Sequence, residues 1–133
     1  MFLGSFEPSF DLNSRRIALP KKIRESLATG EVILSFGFEK CIFGFDIKAW
    51  ELETKKQLDL PLIEKLQRSR RRFFFAAATF IKLDHQGRIV IPNSLLEYAQ
   101  ITKPVVIGAG DHFEIWEEIA WRMELAKIER DQE

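Results

Sequence analysis

The residues most able to do chemistry are two acid–base pairs at a fixed spacing. Asp11 stands four residues before Arg15, and Asp84 four before Arg88, each ahead of a short apolar run that ends in a proline, Pro20 or Pro92. An aspartate closing one strand and an arginine opening the next can pair across a tight turn, the carboxylate orienting the guanidinium fork. That fork matches a phosphate or the O6/N7 edge of guanine. The same spacing also serves as an ion pair that merely fixes a hairpin. Basic neighbours favour the first use. Arg15, Arg16, Lys21, Lys22 and Arg24 give residues 15–24 five positive charges and no negative one. Such a cluster suits backbone phosphates while an arginine reads bases. Behind the second turn Asn93 and Ser94 replace the lysines, leaving neutral donors for phosphate oxygens. A second basic group, Lys65, Arg68, Arg70, Arg71 and Arg72, fits a solvated helix face or an ion-pair partner for a neighbouring chain's acidic C-terminal segment better than phosphate contact.

Catalytic signatures are missing. The sequence holds no glycine-rich nucleotide loop, no Gly-x-Ser-x-Gly and no His-Glu-x-x-His. His85 and His112 stand far apart, and Cys41 is the single cysteine, so no metal ligand set is expected. Cys41 and His112 fall at equivalent places in the repeat described next. Cys41 reads as a small buried residue rather than half of a nucleophilic dyad, and His85 as a solvent-facing turn residue. No catalytic residue, cofactor or small-molecule substrate is expected. One cysteine excludes an internal disulfide and suits a reducing compartment. No apolar run approaches the roughly 20 residues of a membrane helix. The opening Met1–Glu7 lacks the regions of a signal peptide and is expected to belong to the fold.

The turns sit inside a larger repeat. Phe10–Pro20 matches Leu83–Pro92, Val32-Ile33-Leu34 matches Val105-Val106-Ile107, Ile42–Asp46 matches Phe113–Glu117, and Ala49-Trp50 matches Ala120-Trp121. Each copy predicts a strand (about 3–10; 77–83), the turn, a short strand (16–19; 88–91) and a short helix (Lys21–Ala28; Asn93–Ala99). Two more strands follow (31–37 and 41–46; 104–109 and 113–117), then a closing helix from Ile47 or Glu118. Ile119, Met123, Leu125 and Ala126 read as the apolar stripe of the last helix. Leu60–Phe75 reads as a linking helix with Pro61 in its first turn and Leu62, Leu66 and Phe73 on its buried face. Most phenylalanines alternate along strands and read as core rather than as base-stacking platforms. The chain of 133 residues is 46% hydrophobic, enough for a shared core that neither copy could build alone. Its 20 basic and 20 acidic residues give zero net charge, which disfavours a polyanion binder driven by bulk charge. The halves differ: residues 1–72 hold 14 basic and 10 acidic residues, whereas 73–133 hold 6 and 10. That asymmetry allows a basic working face or head-to-tail contact between copies.

The whole chain resembles the MraZ family of bacterial transcriptional regulators of the division and cell-wall gene cluster. The resemblance rests on Met1-Phe2-Leu3-Gly4, the turns Asp11–Arg15 and Asp84–Arg88, and the segments ending at Pro20 and Pro92. Gly37–Cys41, Val106-Ile107-Gly108 and Phe113–Glu117 add to it. It implies an α+β, mainly β fold: two fused AbrB/SpoVT-like repeats (1–58 and 75–133, joined by a linking helix at 59–74) forming an interleaved double-split β-barrel with peripheral helices. It further implies a ring-like homo-oligomer, without membrane attachment, binding promoter direct repeats in double-stranded DNA within the bacterial cytoplasm and nucleoid. Arg15 and Arg88 would face the groove, with Arg16, Lys21, Lys22 and Arg24 beside them, and Asp11, Asp84 and Gly87 shaping the turns. An antitoxin-like or scaffold oligomer of the same fold, acting through protein contacts, is the alternative. One departure stands out. The family spacing places an arginine four residues before the proline, as Arg88 stands to Pro92. Here Arg16 keeps that spacing to Pro20, while Arg15 keeps the spacing to Asp11. The first turn thus carries an extra residue, and Ser14 stands where the second copy has Gly87. The reading adopted from sequence has Arg15 pointing outward and Arg16 on phosphate.

Overall fold

The two halves exchange their first strands. In the computed structural model, which describes residues 1–132, the first half runs β1 (Ser5–Phe6), β2 (Phe10–Asp11), β3 (Arg16–Ala18), α1 (Lys21–Glu25), β4 (Glu31–Phe36), β5 (Ile42–Phe45) and α2 (Ile47–Leu58). After α3 (Lys65–Ala76), the second half runs β6 (Thr79–Lys82), β7 (Arg88–Val90), α4 (Asn93–Ala99), β8 (Pro104–Gly108), β9 (Phe113–Glu117) and α5 (Glu118–Asp131). A six-stranded antiparallel sheet has the order β1-β8-β9-β5-β4-β6, so swapping the halves reverses it. β1 joins the second half's hairpin and β6 the first half's. A smaller sheet, β2-β3-β7, carries both turns. Pseudo-twofold axes pass between Phe43 and Glu114 in the large sheet and between Ile17 and Ile89 in the small one.

Both sheets are open; they do not close into the expected barrel. The architecture is α+β with nine strands and five helices among the described residues. Residues packed between the sheets and the short helices form the core: Ile17, Ile23, Leu34, Ile42, Ile89, Leu95, Phe113 and Ile115 are all essentially sealed from solvent. Each such side chain contributes about 1.5–3 kcal/mol by burial. A second, aromatic cluster lies under the closing helices, where Trp50 stacks on Phe74 at 5.0 Å and Trp116 meets Trp121 at 5.5 Å. The repeated Ala-Trp pair is therefore the device that docks each closing helix. Phe2 is buried and bridges to Gly110, so the opening residues do belong to the fold.

Several boundaries differ from the sequence expectation. The first strand is split, because Pro8 offers no N–H for a ladder and the chain crosses from the large sheet to the small one there. The α1 helix ends at Glu25, not Ala28, as the chain turns toward Gly30. The α3 helix starts at Lys65, with Pro61 in the loop before it. Its buried face is Gln67 and Phe74, while Leu62 and Leu66 are exposed. The arginines explain this phase. Arg68 donates to the Leu62 and Ile63 carbonyls, and Arg71 to those of Leu58 and Leu60. Two members of the basic cluster thus tie down the α2–α3 connection. On α5, Ile119 and Met123 face outward instead of forming a buried stripe. Phe38 and Phe80 are likewise exposed rather than core.

Candidate functional site

Strand alternation decides what the small sheet shows to solvent. Ile17 and Ile89 point into the core, so Arg16, Ala18, Arg88 and Val90 all lie on the opposite face. The register pairs Arg16 with Val90 and Ala18 with Arg88. Arg16 and Arg88 are therefore diagonal neighbours, with Cα atoms about 7–8 Å apart. Asp11, paired with Arg16 on β2, joins the same face.

The second turn is tightly made. The Arg88 amide and the Gln86 amide both donate to Asp84 Oδ1, at 2.9 and 2.8 Å, and Arg88 Nε donates to Asp84 Oδ2 at 3.0 Å. The bond from the Arg88 amide holds Asp84 below the usual carboxylate range, and with those from the Gln86 amide and the Arg88 side chain it outweighs the opposing desolvation. Gly87 has φ +75°, and a Cβ there would meet the Arg24 side chain at 2.6 Å. Arg24 itself is anchored by donating from Nε to the Leu19 carbonyl at 3.0 Å. A helix of the first half thus braces the turn of the second. The motifs do not reveal this contact; the sequence singles out Arg24 by its charge alone.

The first turn is built differently. Asp11 Oδ1 accepts from the Asn13 amide at 3.0 Å. The Ser14 hydroxyl first, then that amide, lower its pKa, with Arg16 contributing a little by its charge. Arg15 makes no ion pair with Asp11. Its Nε donates to the Ile91 carbonyl at 3.1 Å, and its backbone sits at φ +58°. The dyad shows why. Leu19 N donates to Gly87 O at 3.1 Å, and Ile91 N to Arg15 O at 2.8 Å, so Arg15 occupies the backbone position of Gly87. Arg16 is accordingly the counterpart of Arg88. The expected outward projection of Arg15 is corrected: Arg15 folds across to the other half, into the wall of an open trough of about 600 Å³ that includes Asn13, Asn93 and Leu96.

Lys21 and Lys22 are exposed on α1, Lys21 within 4.0 Å of Glu25. They lie on the element that follows β3, not on the arginine face itself. His85 sits in the second turn, as expected. Cys41 is fully buried, and burial pushes its thiol up to about 12, which removes it as a nucleophile. Its repeat counterpart His112 forms a network that the motifs did not reveal. Nδ1 lies 2.8 Å from Asp111 and Nε2 2.7 Å from Glu114, while Trp116 Nε1 donates to Glu114 at 2.9 Å. Burial opposes the charged ring, but hydrogen bonds to Glu114 and Asp111 outweigh it and raise the His112 pKa. Among the described residues, no three His, Cys, Asp or Glu side chains are placed to hold a metal, and no helix is long and apolar enough to cross a membrane.

Comparison with known proteins fits this doubled architecture. A family model described as "MraZ protein, putative antitoxin-like" matches twice, over residues 1–73 and 74–133. The chain is 42% identical over 127 residues to the "Transcriptional regulator MraZ" of Caldicellulosiruptor saccharolyticus, covering 95% of this chain and 87% of that one. It is 43% identical over 123 residues to the protein of that name in Lactiplantibacillus plantarum, covering 92% and 86%. With the one in Roseiflexus castenholzii the identity is 35% over 130 residues, covering 97% and 90%.

Proposed function

Because the chain belongs to the MraZ family, we propose that it regulates transcription by binding double-stranded DNA through the solvent face of the small sheet. The observation that carries this reading is the pair of arginines, Arg16 and Arg88, set side by side on one face with their turns at either end. In this reading Asp11, Asp84 and Gly87 shape the turns, Arg15, Lys21 and Lys22 flank the arginines toward phosphates, and Arg24 positions the second turn. The reaction is recognition without catalysis, so no cofactor or small-molecule substrate enters.

A chain of zero net charge with few free arginines holds a single site weakly. Several copies engaging repeated sites gain by effective concentration. A ring-like homo-oligomer on G-containing direct repeats upstream of a division and cell-wall gene cluster, in the nucleoid, meets that requirement. Exposed apolar residues on α5 (Ile119, Met123) and around the start of α3 (Leu62, Leu66) offer contact area between copies. The organisation that goes with it is a repeat at 1–58, a linker at 59–74 and a repeat at 75–133. The same exposed residues favour a second reading, in which an oligomer acts by protein contacts and the turns are structural.

The test is binding to a labelled duplex bearing the direct repeats from upstream of the chain's own operon, against a scrambled duplex of equal length, over a salt series. Wild type should prefer the repeats. An Arg15→Ala/Arg16→Ala/Arg88→Ala variant should lose that preference while keeping its oligomeric state. Equal, salt-sensitive binding to both duplexes by wild type would refute the regulator reading and turn attention to a protein partner.

A further inference from the structure

The one-residue difference between the turns makes them unequal tools, and this inference rests on the DNA-binding reading above. Arg88 is held at two points by one carboxylate: its amide and its Nε both donate to Asp84. With Nε engaged, the terminal Nη1 and Nη2 donors of this partly exposed side chain are the ones left for a ligand. Gly87 closes the turn under it, and Arg24 packs behind. The Arg16 side chain has no hydrogen bond or ion pair among the described residues, and it is exposed. Asp11 is instead engaged by Asn13 and Ser14 of the longer turn.

Charge follows the same division. Asp84 offsets the charge of Arg88 at contact distance. Arg16, by contrast, has no carboxylate at ion-pair distance among the described residues, its strand partner Asp11 being engaged by its own turn. A pre-oriented, locally neutralised guanidinium is poorly suited to attracting phosphate, since its carboxylate repels the anion, but well suited to a base edge with two acceptors. An exposed, uncompensated guanidinium has the opposite character: it displaces counterions from the backbone without fixing which base lies opposite.

We propose that Arg88, oriented by Asp84, reads a guanine edge, and that Arg16 serves as a phosphate contact, so that each chain carries one reading turn and one anchoring turn. Asp84 is then a positioning residue, acting through Arg88.

The experiment compares the repeat duplex and the scrambled duplex over a salt series, with folding of each variant checked by circular dichroism. Arg88→Lys keeps the charge and removes the fork. Its preference for the repeat duplex should fall by roughly fivefold to a hundredfold, with scrambled-duplex binding and salt slope unchanged. Asp84→Asn should lower the preference in the same direction without weakening scrambled-duplex binding. Arg16→Ala should weaken both duplexes by one factor and reduce the log–log salt slope by about 0.9, the amount for one phosphate. Replacing the repeat guanines by 7-deazaguanine, which lacks the N7 acceptor, should weaken wild type but not Arg88→Lys further. Loss of preference in Arg16→Ala with retention in Arg88→Lys would overturn the division of labour while leaving DNA recognition by the face intact. Equal loss in both variants would do the same. A wild type indifferent to sequence would overturn both readings together.

Discussion

A Cβ added at Gly44 would come nearer to another atom than at any other described glycine, and replacing it by alanine tests how the halves are joined. It lies directly across from Phe113 at the crossing of β5 and β9, beside the pseudo-twofold axis. An added Cβ would stand 2.2 Å from Phe113 Cζ and 2.5 and 2.6 Å from two further ring atoms. Carbon atoms pack at about 3.5–4.0 Å, so the ring would have to retreat by more than an ångström. It has nowhere to go: Phe113 is fully buried, and its ring meets Phe2 at a centroid distance of 5.4 Å. Overpacking of a filled core costs about 1–3 kcal/mol. The short distances and the rigid ring place Gly44→Ala at the upper end, about 3 kcal/mol. For a chain of this length that is a fall in Tm of roughly 10 °C. Urea unfolding at fixed protein concentration should show a lower midpoint with an unchanged m value. Truncating the ring should relieve the strain, so Gly44→Ala/Phe113→Leu should cost less than the two single changes added, by about 0.5–3 kcal/mol. A loss below about 0.5 kcal/mol for Gly44→Ala, or strict additivity, would refute the claim that this crossing is closed to a methyl group.

Other perturbations probe the polar contacts. The His112 pKa is raised and the Glu114 pKa lowered, so the pair's stabilisation is complete only between their ordinary values of 6.5 and 4.5. It fades as pH rises through the folded pKa of His112 and as pH falls through that of Glu114, so the stability gap between wild type and His112→Gln should peak near pH 5–6. A gap independent of pH would contradict the network. Ser35, fully buried, donates to the Phe74 carbonyl at 2.8 Å and ties β4 to α3, so Ser35→Ala should lose about 1–3 kcal/mol in denaturant unfolding. At Arg15, glycine would relieve left-handed strain of about 1–2 kcal/mol but lose the bond to Ile91 and gain chain entropy when unfolded. Arg15→Gly should therefore stay within about 1 kcal/mol of wild type, whereas the β-branched Arg15→Val should lose about 2 kcal/mol; the reverse order would contradict the turn geometry.

The repeat made most of the architecture readable in advance. Matched residues in two copies predicted matched elements, and the cores of β4, β5, β8 and β9 fell within the expected spans. The errors have local causes. A strand interrupted by Pro8 cannot be told from a continuous one until it is known which sheet each piece joins. On α3 the sequence points to a buried leucine face, because apolar periodicity normally marks the inward side. There, two arginines instead turn toward loop carbonyls that would otherwise lack partners, and the helix rotates accordingly. The exposed face of α5 follows from a neighbouring signal: Ala120 and Trp121 dock the helix, leaving Ile119 and Met123 outside.

The extra residue of the first turn shows which constraint wins when two motifs compete. Spacing to Asp11 would make Arg15 the partner of Arg88, and spacing to Pro20 would make it Arg16. Keeping the first would slide β3 by one residue, and a one-residue slip turns every side chain to the other face. Ile17, now sealed against Ile89, would go to solvent and a guanidinium would enter the core. Exposing the isoleucine alone forfeits about 1.5–3 kcal/mol, and burying an unpaired charge costs several more. Absorbing the residue in the turn costs only the left-handed backbone of Arg15, about 1–2 kcal/mol, part of which its bond to Ile91 returns. The hydrophobic register therefore prevails over the acid–base spacing. Arg16, not Arg15, takes the place beside Arg88, and the displaced Asp11 is left to cap its own loop.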